Sequence, residues 1–482
     1  MKFRRLLLAS QCVVGAGCSV GPNFRRPTTP DDPGYTREPM KETVDAGGIG
    51  QHYVEGGVIS ANWWKMLRCP ALDAIVNEAL ARSNPHIEGA VATLRQSQDS
   101  LRAGYGVFFP QLDMHAGASR QLYNPAPGTL PSSTFNLFTL SGTVSYAIDI
   151  WGGSRRQVEV LGAAVEAQQY ALAGVYVMLS SNVVDAVIAQ AAYRDEIEAT
   201  KATAVLLREQ IRIAIAQEAG GTVAYSNVLS LQSQLASIEA TLPPLEQKID
   251  QASNLLAVLS GTTPFSWRHT PVSLADLQLP QDLPLSIPSQ LVRQRPDVLI
   301  AEAKLRAANA TIGIATAAML PSLTLSAGYG VNSPSIGDLL SPAALFWNLA
   351  AGLTQPMFHG GTLYYQRQAA IDARDAAAAD YRETVLSAFG QVADTLRGLG
   401  HDADALRAQT DAVTAAEKAL NLLHANYQAG IATYLQVLVA DDQYLQTRMG
   451  YTQAIAQRLQ DTVALYVALG GGWWNSPVMS SG

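Results

Sequence analysis

The sequence predicts an α+β protein made of one unit used twice, with strands that suit either a membrane or a sheet with one wet face. Three observations predict it: an internal repeat, strand pairs with one apolar face, and helix-forming stretches far longer than a globular core needs.

The repeat is read directly. SNPHIEGAVATLRQSQDSLRAGYGVFFPQL (83–112) aligns with QRPDVLIAEAKLRAANATIGIATAAMLPSL (294–323). Pro85 to Pro110 and Pro296 to Pro321 span the same 25 residues, and Leu94-Arg95 falls on Leu305-Arg306. AIDIWGGSRRQ (147–157) answers TQPMFHGGTLY (354–364), GTVAYSNVLSLQSQL (221–235) answers GIATYLQVLVADDQY (430–444), and LLAVLSG (255–261) answers LYVALGG (465–471). The offset stays near 210 residues. A period that long exceeds the 20–50 residues of a solenoid unit, so it marks a duplicated domain. The first repeat is expected over 70–261 and the second over 291–471, joined by a Pro-rich linker at 262–290.

The chain opens with Lys2, Arg4 and Arg5, followed by LLLASQCVVGAG, which is a signal-peptide pattern over 1–17. Small residues then precede Cys18, which fits a lipoprotein signal whose cysteine becomes the acylated mature N-terminus; Gly15 stands where such signals usually carry an aliphatic residue. Cys12 would be removed, and Cys69 alone reads as a small buried hydrophobe. Ordinary secretion is the alternative on the leader alone; residues 18–69, expected as a lipidated linker, are rich in Pro, Gly and Thr and expected to be mostly irregular. The glycine-rich end, 472–482, is expected to be a flexible tail.

Strands are expected at 111–123, 135–149, 322–332 and 345–358. Leu112, Met114, Ala116 and Ala118 alternate with Asp113, His115 and Ser119; Leu345, Trp347, Leu349 and Leu353 alternate with Asn348, Gly352 and Thr354. Strands of about 10 residues with one apolar face suit a tilted membrane span. A soluble hairpin with one wet face would alternate in the same way. Helical hairpins are expected over 153–260 and 361–469, with glycine-marked tips near 219–223 and 428–433. Each outgoing arm runs about 65 residues without proline, on the order of 100 Å at the helical rise. Phe389, Val392, Leu396, Leu399, Ala403 and Leu406 recur at spacings of 3 and 4, a coiled-coil seam.

Net charge is −7, which provides no basic footprint for nucleic acid. Charged residues are 15% against roughly 25% in an ordinary soluble chain. After the leader no run of about 18 apolar residues stands out, so contact with a membrane must come from a lipid or a β-barrel. Four strands cannot close a barrel, which needs at least about eight, and lipid does not tolerate open edges. If the strands lie in a membrane, several chains must therefore share one barrel. Seven scattered histidines, with no H-E-x-x-H, G-x-S-x-G or phosphate-binding loop, argue against an enzyme, and no cofactor is expected.

CSVGPNFRRP, WWKMLRCPALDAIVNEALARSNP, YAIDIWGGSRRQ and LTQPMFHGGTL together resemble the outer membrane factors, the TolC-like exit channels, and most of all the OprM/NodT-like lipoproteins that serve RND-type efflux pumps. The resemblance implies a homotrimer, with a 12-stranded β-barrel of four strands per protomer continued by a long α-helical barrel across the periplasm. It implies passive export in the outer membrane of a Gram-negative cell, powered by an inner-membrane RND-type transporter through a periplasmic adaptor. It also implies acylation at Cys18 and adaptor docking at the tips, around Gly220, Gly221 and Gly430. Gly152, Gly153, Gly360 and Gly361 would mark the strand-to-helix junctions. At the second tip the family often reads Tyr-Leu-x-x-Leu-Asp-Ala; here YLQVLVADDQ keeps Tyr434, Leu435 and Leu438 but has Val439 at the aspartate. Leu435, Gln436 and Val439 are expected at the closed constriction, with Asp441 or Asp442 supplying its charge. Two other functions remain open on the residues: an exit duct for type I protein secretion, and a periplasmic coiled-coil structural lipoprotein.

Overall fold

The structure, a computed structural model, describes residues 19–28, 34–37, 42–45, 50–81, 83–124 and 132–475. The signal peptide, Cys18 and residues 476–482 lie outside the described residues. In chain order the elements are β1 (His52–Glu55), α1 (Pro70–Ala79), α2 (Pro85–Gly104), β2 (Gln111–Tyr123), β3 (Ser133–Ile148), α3 (Gly153–Ala219), α4 (Tyr225–Glu239) and α5 (Leu242–Leu259). They continue with β4 (Asp282–Leu285), α6 (Pro288–Gln294), α7 (Pro296–Ala317), β5 (Ser322–Ser333), β6 (Leu345–Thr354), α8 (Thr362–Gln428) and α9 (Tyr434–Ala468). The chain divides into two compact units: Met1–Pro27 with Leu94–Gln168 and Ile300–Arg382, and Thr28–Thr93 with Gln169–Leu299 and Glu383–Gly482. Each unit draws on both sequence repeats, so the repeats are not themselves the compact units.

The first unit holds one four-stranded antiparallel sheet in the order β2-β3-β5-β6. Its register answers the question that alternation left open. Leu112 pairs with Val144, Val144 with Ala327, and Ala327 with Leu349; Met114, Gly142, Tyr329 and Trp347 form the next row of that face. The four apolar faces therefore merge into one, and the opposite face carries Asp113, Thr143, Gly328 and Asn348. Met114 is 80% exposed and Leu349 77% exposed. A contiguous apolar face left open to this degree calls for an apolar environment, not a wet one. The last strand stops at Thr354 rather than at 358, because Gln355 is followed by Pro356, which has no N–H to give the ladder.

The start of α3 is fixed by Asp149, whose carboxylate accepts from the N–H groups of Ser154 and Arg155 at 3.1 and 3.0 Å. This satisfies two of the helix's unpaired donors. Residues 19–27 are irregular but held: Arg156 donates to Asn23 Oδ1 at 2.7 Å, and Asn309 to the Pro22 carbonyl at 2.8 Å. Gly152 has φ +79°, and a Cβ there would stand 2.8 Å from Ser19 Cα, so no other residue fits this junction. Gly153 follows at the first turn of α3, while Gly360 and Gly361, both with positive φ, precede α8.

The second unit is helical around a continuous apolar seam. Val392, Leu396, Leu399, Ala403 and Leu406 are all buried, and the ring of Phe389 meets Tyr35 edge-on at 5.8 Å. One 18-residue stretch of α3 does reach a mean hydropathy of 1.7. That stretch is 61% buried in protein, so its hydropathy is accounted for by packing. Cys69 is buried with a free thiol.

Three expectations change here. The return arm of the first hairpin is not one helix: α4 ends at Glu239 and α5 begins at Leu242, because Pro243 and Pro244 cannot continue the donor ladder and sit at a helix start instead. The second return arm, α9, has no proline and runs unbroken. The two Pro-rich linkers are not wholly irregular, since β1 and β4 pair in parallel from His52↔Asp282 to Glu55↔Leu285. Arg458, fully buried, ties this region to α9 by donating to Gln51 Oε1 at 3.2 Å and Thr43 Oγ1 at 3.3 Å. The described part of the C-terminal tail is anchored: Trp473 Nε1 donates to the Gln294 carbonyl and Asn475 Nδ2 to the Ile59 carbonyl, both at 2.7 Å.

Candidate functional site

The two hairpin tips are built by the same local device. Gly221, with φ +72°, follows the end of α3, and Gly430, with φ +76°, follows the end of α8. The left-handed conformation turns the chain and lets the N–H groups beyond close on the last carbonyls: Thr222 to Gln217 and Ile431 to Asn426. Gly220 sits inside the first tip, donating to the Ala216 carbonyl at 3.2 Å.

The return helices start differently. Thr433 precedes α9, and its N–H and hydroxyl both donate to Gln436 Oε1, at 2.8 and 3.0 Å. Ala224 precedes α4 and offers no side chain for a cap. Gln436, expected at the constriction, thus spends its amide oxygen on capping.

Beyond the cap, Leu435 and Val439 are 65% and 62% exposed, and half-buried Asp442 follows at the next turn. Spacings of four and three place these residues on one stripe of α9. Asp442 is steadied by Gln446 Nε2 at 2.8 Å and Gln234 Nε2 at 3.4 Å. The structure separates the two adjacent aspartates. Asp441 is only 1% exposed and does not belong to the open stripe, which corrects its placement at the constriction. One helical residue is 100° of rotation, and Asp441 shares its face with buried Val437 and Leu445, four residues before and after it.

Asp441 Oδ2 accepts from Gln210 Nε2 of α3 at 3.0 Å, and its Oδ1 lies 3.6 Å from His424 Nε2 of α8. Burial raises its carboxyl above the ordinary carboxylate range, opposed by Gln210 and His424. Burial likewise pushes the Tyr434 phenol up, and Asp441 and Tyr427 add to this. An apolar cluster of Leu207, Ala214, Val228, Leu231, Ile238 and Leu445 fills the space between the helices around them. The result is a tip with a rigid packed interior and one open apolar stripe ending in a single carboxylate. It can narrow or bound a passage; it presents no nucleophile with its base.

The sequence pattern of the outer membrane efflux proteins matches residues 75–262 and 287–471, the two repeats in turn and most of the chain. The pyoverdine export outer membrane protein OpmQ of Pseudomonas aeruginosa is 28% identical over 479 residues, covering 98% of both chains. The cation efflux system protein CusC of Escherichia coli O6:H1 is 26% identical over 462 residues, covering 95% of this chain and 96% of that one. The solved structure of the outer-membrane channel OprN superposes with a TM-score of 0.84 at 26% identity, over 95% of this chain and 100% of that one. With two matched repeats, an exposed apolar sheet face and paired helical tips, this chain belongs to the outer membrane efflux protein family.

Proposed function

We propose that three copies of this chain close one twelve-stranded barrel in the outer membrane, and that their long helices together line a periplasmic duct. The observation that carries this reading is the sheet. Its apolar residues share one exposed face, and β2 and β6 lie at its two edges with no further partner among the described residues. An edge facing hydrocarbon leaves backbone groups unpaired, at several kcal/mol each. Pairing β6 of one copy with β2 of the next removes every such edge at once.

The duct is passive. Energy comes from an inner-membrane RND-type transporter, coupled by a periplasmic adaptor that docks at the tips around Gly220, Gly221 and Gly430. In the resting state Leu435 and Val439 form the constriction, and Asp442 sets its charge. Cys18 carries the acyl anchor, a secondary tether beside the barrel. The related proteins named above serve pyoverdine export and cation efflux, so one duct architecture accepts unlike cargo; for this chain the cargo is a drug or another small molecule chosen by the pump.

Deleting the gene tests this. The mutant should become more susceptible to toxic compounds and retain metabolites, and a cross-linker at Ile431 should capture the adaptor. Unchanged susceptibility together with loss of a secreted protein would move the assignment to type I secretion.

A further inference from the structure

A cavity of about 580 Å³ lies in the first unit, between the N-terminal segment 19–27, the end of α2, the first turns of α3, and α7. That is the volume of a small-ligand site. Its polar lining is Arg155, Arg156, Glu159, Glu166 and Arg306, and Phe24 and Tyr105 supply an aromatic wall. These side chains do not share one task. Arg156 is buried and committed to the N-terminal segment: it donates to Asn23, to the Val20 and Gly21 carbonyls, and to Glu159. Glu159 takes that bond on Oε2 and stays part-exposed. Arg155 is placed by Asp149 and is 40% exposed. Arg306 gives one nitrogen to both oxygens of Glu166, at 2.6 and 2.8 Å, and its guanidinium lies 5.3 Å from the centre of the Phe24 ring.

Cation and carboxylate thus alternate down the wall. Arg155 and Glu159 stand about 6 Å apart along the axis of α3, a little over one turn. Gly162, also on the wall, keeps the space open: a Cβ there would meet nothing within 4 Å. Glycine is a poor residue for a helix interior, and no neighbour's bulk demands it here. The depth is set by the chain itself. α3 begins five residues after β3 ends. Arg155 and Glu159 follow within about 9 Å of that start, close to the depth that lipid head groups occupy below the hydrocarbon.

We propose that this cavity binds the zwitterionic head of a phospholipid from the adjoining leaflet. The phosphate meets the Arg155 guanidinium, whose planar fork matches phosphate oxygens. The ammonium meets the Glu159 carboxylate one turn further down. The Glu166–Arg306 pair and Phe24 close the floor. An anionic head that lacks an ammonium leaves Glu159 facing like charge, so the site favours the zwitterion. This rests on the reading of the sheet as part of an outer membrane barrel, which brings the membrane surface to this depth.

The test offers the full-length protein in detergent equal amounts of phosphatidylethanolamine and phosphatidylglycerol, and reads bound lipid by native mass spectrometry. Phosphatidylethanolamine should be retained at least about tenfold more, the worth of one charge-assisted hydrogen bond. Glu159→Gln should remove that preference, and Arg155→Gln should weaken retention of both lipids. Gly162→Trp fills the cavity without touching an ion pair and should abolish retention, whereas Asp113→Asn, on the polar face of the sheet, should change nothing. Equal retention of the two lipids by the wild type, or none, overturns the proposal, as does a preference that survives Glu159→Gln or Gly162→Trp. If Gly162→Trp does not assemble, Glu159→Gln decides alone. Displacement of the lipid by an equal concentration of soluble phosphoethanolamine overturns the lipid assignment in favour of a free solute. Failure of the wild type to insert into liposomes overturns the barrel reading itself, and the lipid site with it.

Discussion

Tyr427 donates a hydrogen bond to Gln217 at 3.1 Å, and the two residues stand 210 apart, the offset of the internal repeat. Near-equivalent positions of the two repeats therefore touch at the two tips, one from the last turn of α8 and the other from the last turn of α3. The contact ties one hairpin to the other just where each turns back. Tyr427→Phe keeps the ring and removes the bond, at about 1 kcal/mol. Amide hydrogen exchange across both tips should accelerate about fivefold while the melting temperature barely moves. Unchanged exchange at the Gln217 tip would show that the tips are independent.

The unequal caps give a paired prediction. Thr433→Ala should destabilise the start of α9 by about 1 kcal/mol, and Ala224→Ser should stabilise the start of α4 by about 0.5–1 kcal/mol. Local exchange rates at the two helix starts should move in opposite directions.

A carboxyl pair gives the pH dependence. Asp402 on α8 has Asp461 of α9 as a neighbour, and burial followed by that carboxyl raises its pKa to about 7. Asp185 on α3 is raised to about 6, again by burial first. Folded values above the unfolded value of 3.8 mean that the folded state holds these protons more tightly. Their contribution to stability is full below about pH 4 and is lost as pH rises through about 6 and then about 7. Thermal unfolding from pH 5 to 8.5 should show a falling midpoint, and Asp402→Asn should flatten the part of the curve near 7. A curve with the wild-type slope in that variant would remove the pair from the explanation.

Arg458 is the clip for the N-terminal segment. Arg458→Ala leaves Gln51 Oε1 and Thr43 Oγ1 without this shared donor, and should cost about 1–3 kcal/mol, the penalty for a buried acceptor left unsatisfied. Limited proteolysis should then cut between residues 42 and 55 first.

The sequence made much of this legible, and the physical reason is periodicity. A two-residue period over ten or more residues marked the strands, and matching apolar rows set their register. The 3-4 seam from Val392 to Leu406 identified the buried face of α8 correctly, because five successive seam positions agree. Short or singular features did not show. The β1–β4 pair is four residues long and buried in linker composition, with Pro284 inside it. Pro243-Pro244 was visible but outweighed by the helical pattern around it. The choice between Asp441 and Asp442 turned on one helical step; the buried partners Val437 and Leu445, each four residues from Asp441, were the signal that could have decided it. Trp473 and Trp474 similarly argued for packing of residues 473–475.

The central claim is that neighbouring copies complete the sheet, and cross-linking of its two edges tests it most directly. Ser119→Cys on β2 and Asn348→Cys on β6 place exposed thiols on the same polar face at opposite edges. A short bis-maleimide applied to intact outer membranes should give a ladder on denaturing gels that ends at three chains. A product that stays at one chain, or a ladder that continues beyond three, would contradict the shared barrel.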